Sequence, residues 1–348
     1  MLNISIKSAV IAGMLVDSLK ENNEGLVLDI ADILGTLNDS EDIEDMEDEE
    51  QDETEIENLS LERDTATISD NDVTYIGNPY ENLVTKYFTN EDGERVSSDI
   101  RAPRGLHVSN FGASVASSDF EDAIAISSNK YVFTYLPSCD AFEPKVKQAI
   151  KVPKHVKSVN LALSGDGLAL AVGFISNKNT KTKVRVYKRK ELGSSLKLTD
   201  TISAKDIDID MPLFGKCISL NYDGSILAVG APHSVNMDNK TIGAIAFYEI
   251  DEDDKYKKCE SFLHSYTYNF GDKFSLSKNG DLLVNLMKID DGYKIVVLEH
   301  KEEHDEESWD AIETKPHIED AQYGFKTIVN TDTHGDIALA GSAIFVDE

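Results

Sequence analysis

The chain has 348 residues, 41% of them hydrophobic, which is enough to bury a sizeable core, and a formal net charge of −30. So negative a protein repels phosphate backbones, and its two basic stretches, residues 145–157 and 178–190, read as solvated strand edges, so no direct nucleic-acid binding is expected. Cys139, Cys217 and Cys259 fall at no metal-ligand spacing and cannot all pair, so neither a zinc site nor a disulfide framework is expected, and a reducing compartment fits best.

The charge is concentrated at the start. Residues 1–70 hold 21 acidic side chains against Lys7, Lys20 and Arg63. Within residues 1–37, Ile4, Val10, Ile11, Met14 and Leu15 recur at three- and four-residue spacing, and a second apolar set runs from Leu26 to Leu34. The pattern predicts two short amphipathic helices, separated at Asn22-Asn23-Glu24-Gly25 and closed by Gly35. The apolar run at residues 9–16 is too short to span a membrane and no basic cluster precedes it, so no signal peptide and no membrane partner are expected. Residues 38–71 form an acidic linker or propeptide. In residues 39–57, 13 of 19 side chains are acidic. Such a run cannot offset an ordering cost of roughly 1–2 kcal/mol per residue, and disorder is the expectation.

From residue 72 to 348 the composition turns to alternating apolar strands and Gly, Asn and Asp turns, which predicts an all-β domain. One phrase recurs there. Its clearest copy starts at Phe214-Gly215 and continues through Ile218, Leu220, Asp223-Gly224 and residues 226–229 to Tyr248. Others begin at Phe111-Gly112, Lys157-Ser158, Phe270-Gly271 and Tyr323-Gly324, a period of 46 to 57 residues, the range of propeller blades. The opening aromatic is a buried anchor worth about 1.5–3 kcal/mol. The glycine after it lets a neighbouring backbone approach where a Cβ would clash. Asp166-Gly167, Asp223-Gly224 and Asn279-Gly280 have the chemistry of two-residue hairpin turns. The runs at 168–172, 226–229 and 282–286 read as second strands buried on both faces. Third strands end at Tyr135, Tyr187, Tyr248 and Leu298, and outer strands lie near 195–203, 256–266 and 309–315.

The last copy stops after about two and a half strands, so the strand-like residues 73–76 and 83–88 are expected to return and complete it. This predicts a five-bladed β-propeller, with a six-bladed ring using a degenerate copy near 75–108 as the alternative.

The phrase resembles the FG-GAP repeats of the integrin α-subunit propeller and their bacterial and viral relatives. That resemblance implies calcium loops of the form Asp-x-Asp/Asn-x-Asp-Gly between the first two strands. Here only the final Asp-Gly remains, at 166–167 and 223–224, whereas a hard cation takes six to eight oxygens, so no metal and no cofactor are expected. Leu59-Ser60-Leu61-Glu62, at the end of the acidic arm, resembles the sites cut by prohead proteases of large tailed bacteriophages. The likeness implies an internal head protein whose arm is removed on maturation.

Catalytic motifs are few. His300-Lys301-Glu302-Glu303-His304 matches an inverted zinc-peptidase pattern, but that chemistry needs a helix, and these residues follow a strand. The acids at 251–254 read as a solvated turn. The expectation is therefore a non-enzymatic scaffold that binds other proteins of an assembly, in the cytoplasm or in a phage virion or prohead. The alternatives are an adhesin-like FG-GAP binding module and a hydrolase using the propeller's central cleft.

Overall fold

The computed structural model describes residues 66–68, 73–90, 92–119, 123–136, 145–176, 182–204, 213–235, 241–265, 270–289, 292–303, 306–318, 327–331 and 337–341. The two helices and the acidic run expected before residue 66, the 59–62 processing site, Tyr323-Gly324, Cys139 and His304 lie outside them.

Within each sheet, every described strand pairs antiparallel with its neighbours in the sequence. Sheet 1 holds β1 (Ala66–Ile68), β2 (Thr74–Asn78), β3 (Leu83–Thr89) and β4 (Arg95–Arg101). Sheet 2 holds β5 (Val115–Ser117), β6 (Ile124–Ser127), β7 (Tyr131–Leu136) and β8 (Lys145–Lys151). Sheet 3 holds β9 (Val156–Leu163), β10 (Ala169–Ser176), β11 (Lys183–Lys188) and β12 (Lys197–Ser203). Sheet 4 holds β13 (Ile218–Leu220), β14 (Ile226–Val235), β15 (Thr241–Ile250) and β16 (Tyr256–Ser265). Sheet 5 holds β17 (Lys273–Leu276), β18 (Leu282–Ile289), β19 (Gly292–Glu303) and β20 (Glu306–Ile318). Sheet 6 holds β21 (Thr327–Thr331) and β22 (Ile337–Gly341).

The first strand of each sheet lies beside the first strand of the next, in the succession β1, β5, β9, β13, β17, β21, and β21 returns to β1. The first strands therefore surround one axis, and the all-β chain is a β-propeller. Closing the ring covers the sheet edges that an open array would leave for pairing with another chain.

The residues before the first Phe-Gly do not complete the last copy, as the truncated final phrase led us to expect. They make sheet 1. A tight connection at residues 78–82, in which Glu81 N–H donates to the Asn78 carbonyl at 3.2 Å, returns the chain directly from β2 to β3, and β4 supplies the next partner. Closure comes from β1 lying against β21 and β22 of the neighbouring sheet.

The core lies between the sheets, and each apolar cluster is shared by two of them. Tyr75, Val84 and Ile100 of sheet 1 meet Phe111, Phe133 and Tyr135 of sheet 2. Ala125 and Val132 meet Leu161, Leu170 and Val172. Val184 and Val186 meet Phe214, Leu227 and Val229, and Ile245 and Phe247 meet Phe270, Phe274 and Leu283. As the continuous apolar runs imply, every residue of β10 is buried.

The Phe-Gly entry does what its chemistry suggests. Phe111 and Phe214 are fully buried and Phe270 is nearly so. Gly112, Gly215 and Gly271 have φ of +91°, +86° and +81°, a conformation that L side chains rarely adopt. Each also lies on a glycine in the second strand of the preceding sheet. A Cβ on Gly77, Gly173 or Gly230 would stand 1.9, 2.3 or 2.0 Å from the carbonyl oxygen of Gly112, Gly215 or Gly271. Backbone meets backbone there, and no side chain fits between.

Candidate functional site

The opposite ends of the first strands carry the Asx-Gly turns, and there the structure differs from the sequence reading. These are not two-residue hairpins. Ser164 N–H donates to Ala169 O, and Gly167 N–H donates back to Ser164 O, enclosing the four residues 165–168. Gly167, Gly224 and Gly280 take φ of +71°, +67° and +85°. The Asx side chain serves the loop itself. Asp166 Oδ1 accepts from Ser164 Oγ at 2.6 Å and from Leu168 N–H at 2.9 Å, Asp223 Oδ1 accepts from Ser225 N–H at 2.9 Å, and Asn279 Oδ1 accepts from Ser277 Oγ at 2.7 Å. A two-residue turn would leave the Asx side chain no such span to bridge.

The residue before the loop is equivalent in four sheets. Ser118, Ser164, Asn221 and Ser277 each donate a backbone N–H to the residue that opens the second strand, and each side-chain oxygen accepts that residue's N–H in return. The next positions are then Asp119, Gly165, Tyr222 and Lys278. Backbone hydrogen bonds join them around the axis: Asp119 N–H to Gly165 O at 3.0 Å, Asp166 N–H to Tyr222 O at 2.9 Å and Tyr222 N–H to Lys278 O at 2.8 Å. One position, repeated sheet by sheet, thus supplies a carboxylate, no side chain, a phenol and an ammonium to one end of the channel.

These side chains meet. Lys278 Nζ of sheet 5 lies 3.2 Å from Asp119 Oδ2 of sheet 2, although sheets 3 and 4 intervene in the ring. The two side chains are only 13% and 16% exposed, so the pair is shielded from most of the solvent that weakens surface ion pairs. Gly165 adjoins Asp119 and Tyr222. A Cβ there would stand 2.8 Å from Asp119 Oδ2 and 2.4 Å from Tyr222 Cδ2. Tyr222, whose Cδ2 borders the same space, is 37% exposed.

The wall around this mouth is ordered by local electrostatics. Arg189, buried, directs Nε and an Nη to the Gly167 carbonyl at 2.9 and 2.6 Å. Burial lowers its pKa from the usual arginine value, and the nearby Asp166 carboxylate opposes that shift. Burial likewise disfavours the charge of Asp223, but hydrogen bonds from Ser225 and Asn221 outweigh it and hold the carboxyl below the usual range. Tyr256 donates its hydroxyl to the Gly224 carbonyl, and burial together with the carboxylates of Asp200, Asp254, Asp223 and Asp166 pushes that hydroxyl's pKa far up. Lys188 links sheets 3 and 4 through Asp254 at 2.6 Å.

The other sequence candidates are distributed as follows. The Phe-Gly anchors sit at the far ends of the first strands, away from the turn residues, and serve packing. His300 lies in the extended strand β19 opposite Trp309, so the helix that the zinc-peptidase pattern needs is not formed at its first histidine. Residues 251–254 form the β15–β16 turn, where Asp251 Oδ1 accepts from the N–H groups of Asp253 and Lys255. Cys217 bridges sheets 4 and 5, its Sγ 3.4 Å from the nitrogen and the oxygen of Phe274. Among the described residues no three His, Cys, Asp or Glu side chains converge as a metal ion would require, and no helix is long and apolar enough to cross a membrane. The sequence reading missed Asp119, Tyr222 and Lys278. For Tyr222 and Lys278 the signal was the residue just before Asp223-Gly224 and Asn279-Gly280, a position whose chemistry changes from copy to copy, whereas Asp119 has no Asx-Gly after it.

No protein-family model matches the chain, and no curated protein matches its sequence. Solved structures do. A functionally unknown protein from Desulfotomaculum acetoxidans is 12% identical, with 73% of this chain and 70% of that one covered, at a TM-score of 0.51. The periplasmic gluconolactonase PpgL of Pseudomonas aeruginosa is 14% identical over 72% of this chain and 69% of its own, with a TM-score of 0.47. A structure described as the Dos1 propeller is 13% identical over 74% of this chain and 58% of its own, at 0.43. The likeness extends to the propeller fold.

One expectation is corrected. A non-enzymatic scaffold, in a virion, a prohead or any other assembly, was inferred from missing catalytic motifs. One fold hosts many unrelated functions, and a shielded carboxylate–ammonium pair lies at the turn end of the first strands, so missing motifs do not exclude catalysis here.

Proposed function

We propose that the chain is a hydrolase of the propeller type, acting on small esters or lactones at the channel mouth formed by Asp119, Tyr222 and Lys278. The observation that carries this reading is the shielded Asp119–Lys278 pair, drawn to the axis from sheets that are not neighbours. In this reading Asp119 takes a proton from water as the oxygen adds to the substrate carbonyl, and the Lys278 ammonium stabilises the oxyanion. Collapse of that adduct breaks the acyl C–O bond, and the leaving alkoxide recovers the proton from the Asp119 carboxyl. Tyr222 supplies an aromatic face at the mouth. The gluconolactonase named above suggests lactones for the substrate panel.

The Phe-Gly entries belong to the scaffold half of the same proposal. Their left-handed glycines and intersheet contacts support kinship with FG-GAP repeats in how sheets are joined.

A panel of sugar lactones and simple esters, assayed from acid to mildly alkaline pH, tests the reading. The wild-type protein should turn over at least one of them, and Asp119→Asn should lose about 100-fold or more in kcat, in line with removal of a general base. Absence of turnover across the panel, or an unaffected Asp119→Asn variant, overturns it.

A further inference from the structure

We infer that Gly165 is a positioning residue of the channel mouth: its missing side chain keeps open the space in which the Asp119 carboxylate, the Tyr222 ring and the Lys278 ammonium meet. Its consequence for turnover rests on the hydrolase reading, whereas the geometry stands independently.

Four equivalent positions point toward one small region, and three of them carry long or bulky groups. A Cβ on the fourth would overlap Tyr222 Cδ2 at 2.4 Å, Asp119 Oδ2 at 2.8 Å and Asp119 Cγ at 2.9 Å. Separations under about 3 Å are not tolerated in a close-packed interior, so something must move. All three atoms belong to side chains. This sets Gly165 apart from Gly77, Gly173 and Gly230, whose added Cβ would strike a backbone carbonyl. Nor is Gly165 among the glycines with positive φ, so its backbone accepts an alanine. A methyl group at position 165 therefore displaces the site and leaves the fold.

The experiment compares wild type with Gly165→Ala by thermal unfolding, by acylation with an amine-reactive acetylating reagent read residue by residue by mass spectrometry, and by turnover. Lys157, exposed on β9, is the internal standard. The variant should unfold cooperatively, and Lys278 should label at least about five-fold faster relative to Lys157, because an enclosed amine becomes open to solvent. Where wild type hydrolyses a substrate, kcat should fall about ten-fold or more while KM changes less, as expected when reacting groups are misplaced. Should Gly165→Ala fail to fold, Gly165→Ala/Tyr222→Ala removes the tightest overlap and is compared with Tyr222→Ala alone. Unchanged Lys278 labelling in a folded variant overturns the inference. A wild type without turnover, combined with faster labelling in the variant, overturns the hydrolase reading alone.

Discussion

The two ends of the first strands obey different rules. At the entry end, sheets 2, 4 and 5 repeat one solution: a buried phenylalanine, then a left-handed glycine pressed against a second-strand glycine of the preceding sheet. At the turn end the backbone repeats as closely, with the same loop and the same return hydrogen bonds, yet the side chains facing the axis are Asp119, Gly165, Tyr222 and Lys278. Repetition holds the ring together, and departure from repetition creates chemistry. Substitutions at the entry end should therefore cost stability, whereas those at the turn end should cost little stability and change the site.

The largest effect should come from Phe214→Ala. The ring is fully buried in the cluster between sheets 3 and 4, and truncation to alanine should cost about 3–5 kcal/mol. Chemical denaturation reads this directly, and a loss below about 1 kcal/mol would deny the entry end its structural role.

Gly230→Ala follows. Its Cβ would lie 2.0 Å from the Gly271 carbonyl and 2.7 Å from Phe274 Cε1, so sheets 4 and 5 must separate. A cost of about 2–3 kcal/mol is expected, in the range of overpacked cores. Comparison with Gly165→Ala in one denaturation series is the sharpest form of the contrast. The same change of one methyl should be severe where it meets backbone and mild where it meets side chains.

Much of this division could be read from the sequence. The Phe-Gly phrase, its period and the apolar second strands fixed the sheets because burial and left-handed turns restrict residue choice. Tyr135, Tyr187, Tyr248 and Leu298 fall in third strands as expected. Sheet 1 was less legible. Its copy lacks the Phe-Gly signal, and pairing among β1 to β4 depends on contacts that a local pattern does not encode. The mouth was hidden for the opposite reason. Asp119, Tyr222 and Lys278 share no residue type, so a search for repetition passes over them, and residues 119–122 lack the Asx-Gly that marks the other turns. Only the shared hydrogen bonds of Ser118, Ser164, Asn221 and Ser277 reveal the equivalence.

A turn-end prediction of intermediate size tests that equivalence. Ser277 is almost fully buried, accepts Leu282 N–H at 2.9 Å and donates to Asn279 Oδ1. Ser277→Ala strands a backbone donor and should cost about 1–2 kcal/mol, the usual price of an unmet buried hydrogen bond. The corresponding Ser164→Ala should cost a similar amount, since Ala169 N–H and Asp166 lose the same partner. A disparity of several-fold between them would mean that the turns are alike in outline only.

The smallest effect is a change in pH dependence. The Asp223 carboxyl is held below its ordinary range, so it binds its proton less readily in the folded chain than in the unfolded one. Its contribution is therefore complete above the unfolded value near pH ~3.9 and is lost as pH falls through the lower folded value. Because the carboxylate is largely exposed, water screens most of that contribution, and the midpoint at neutral pH should hardly move in Asp223→Asn. The variant should differ on the acid side: between about pH 4 and pH 2.5 its melting temperature should fall less steeply than that of wild type, because one proton fewer is taken up on unfolding. Parallel acid limbs would show that the hydrogen bonds from Ser225 and Asn221 do not favour the charged form. The turn would then be held without help from the Asp223 charge.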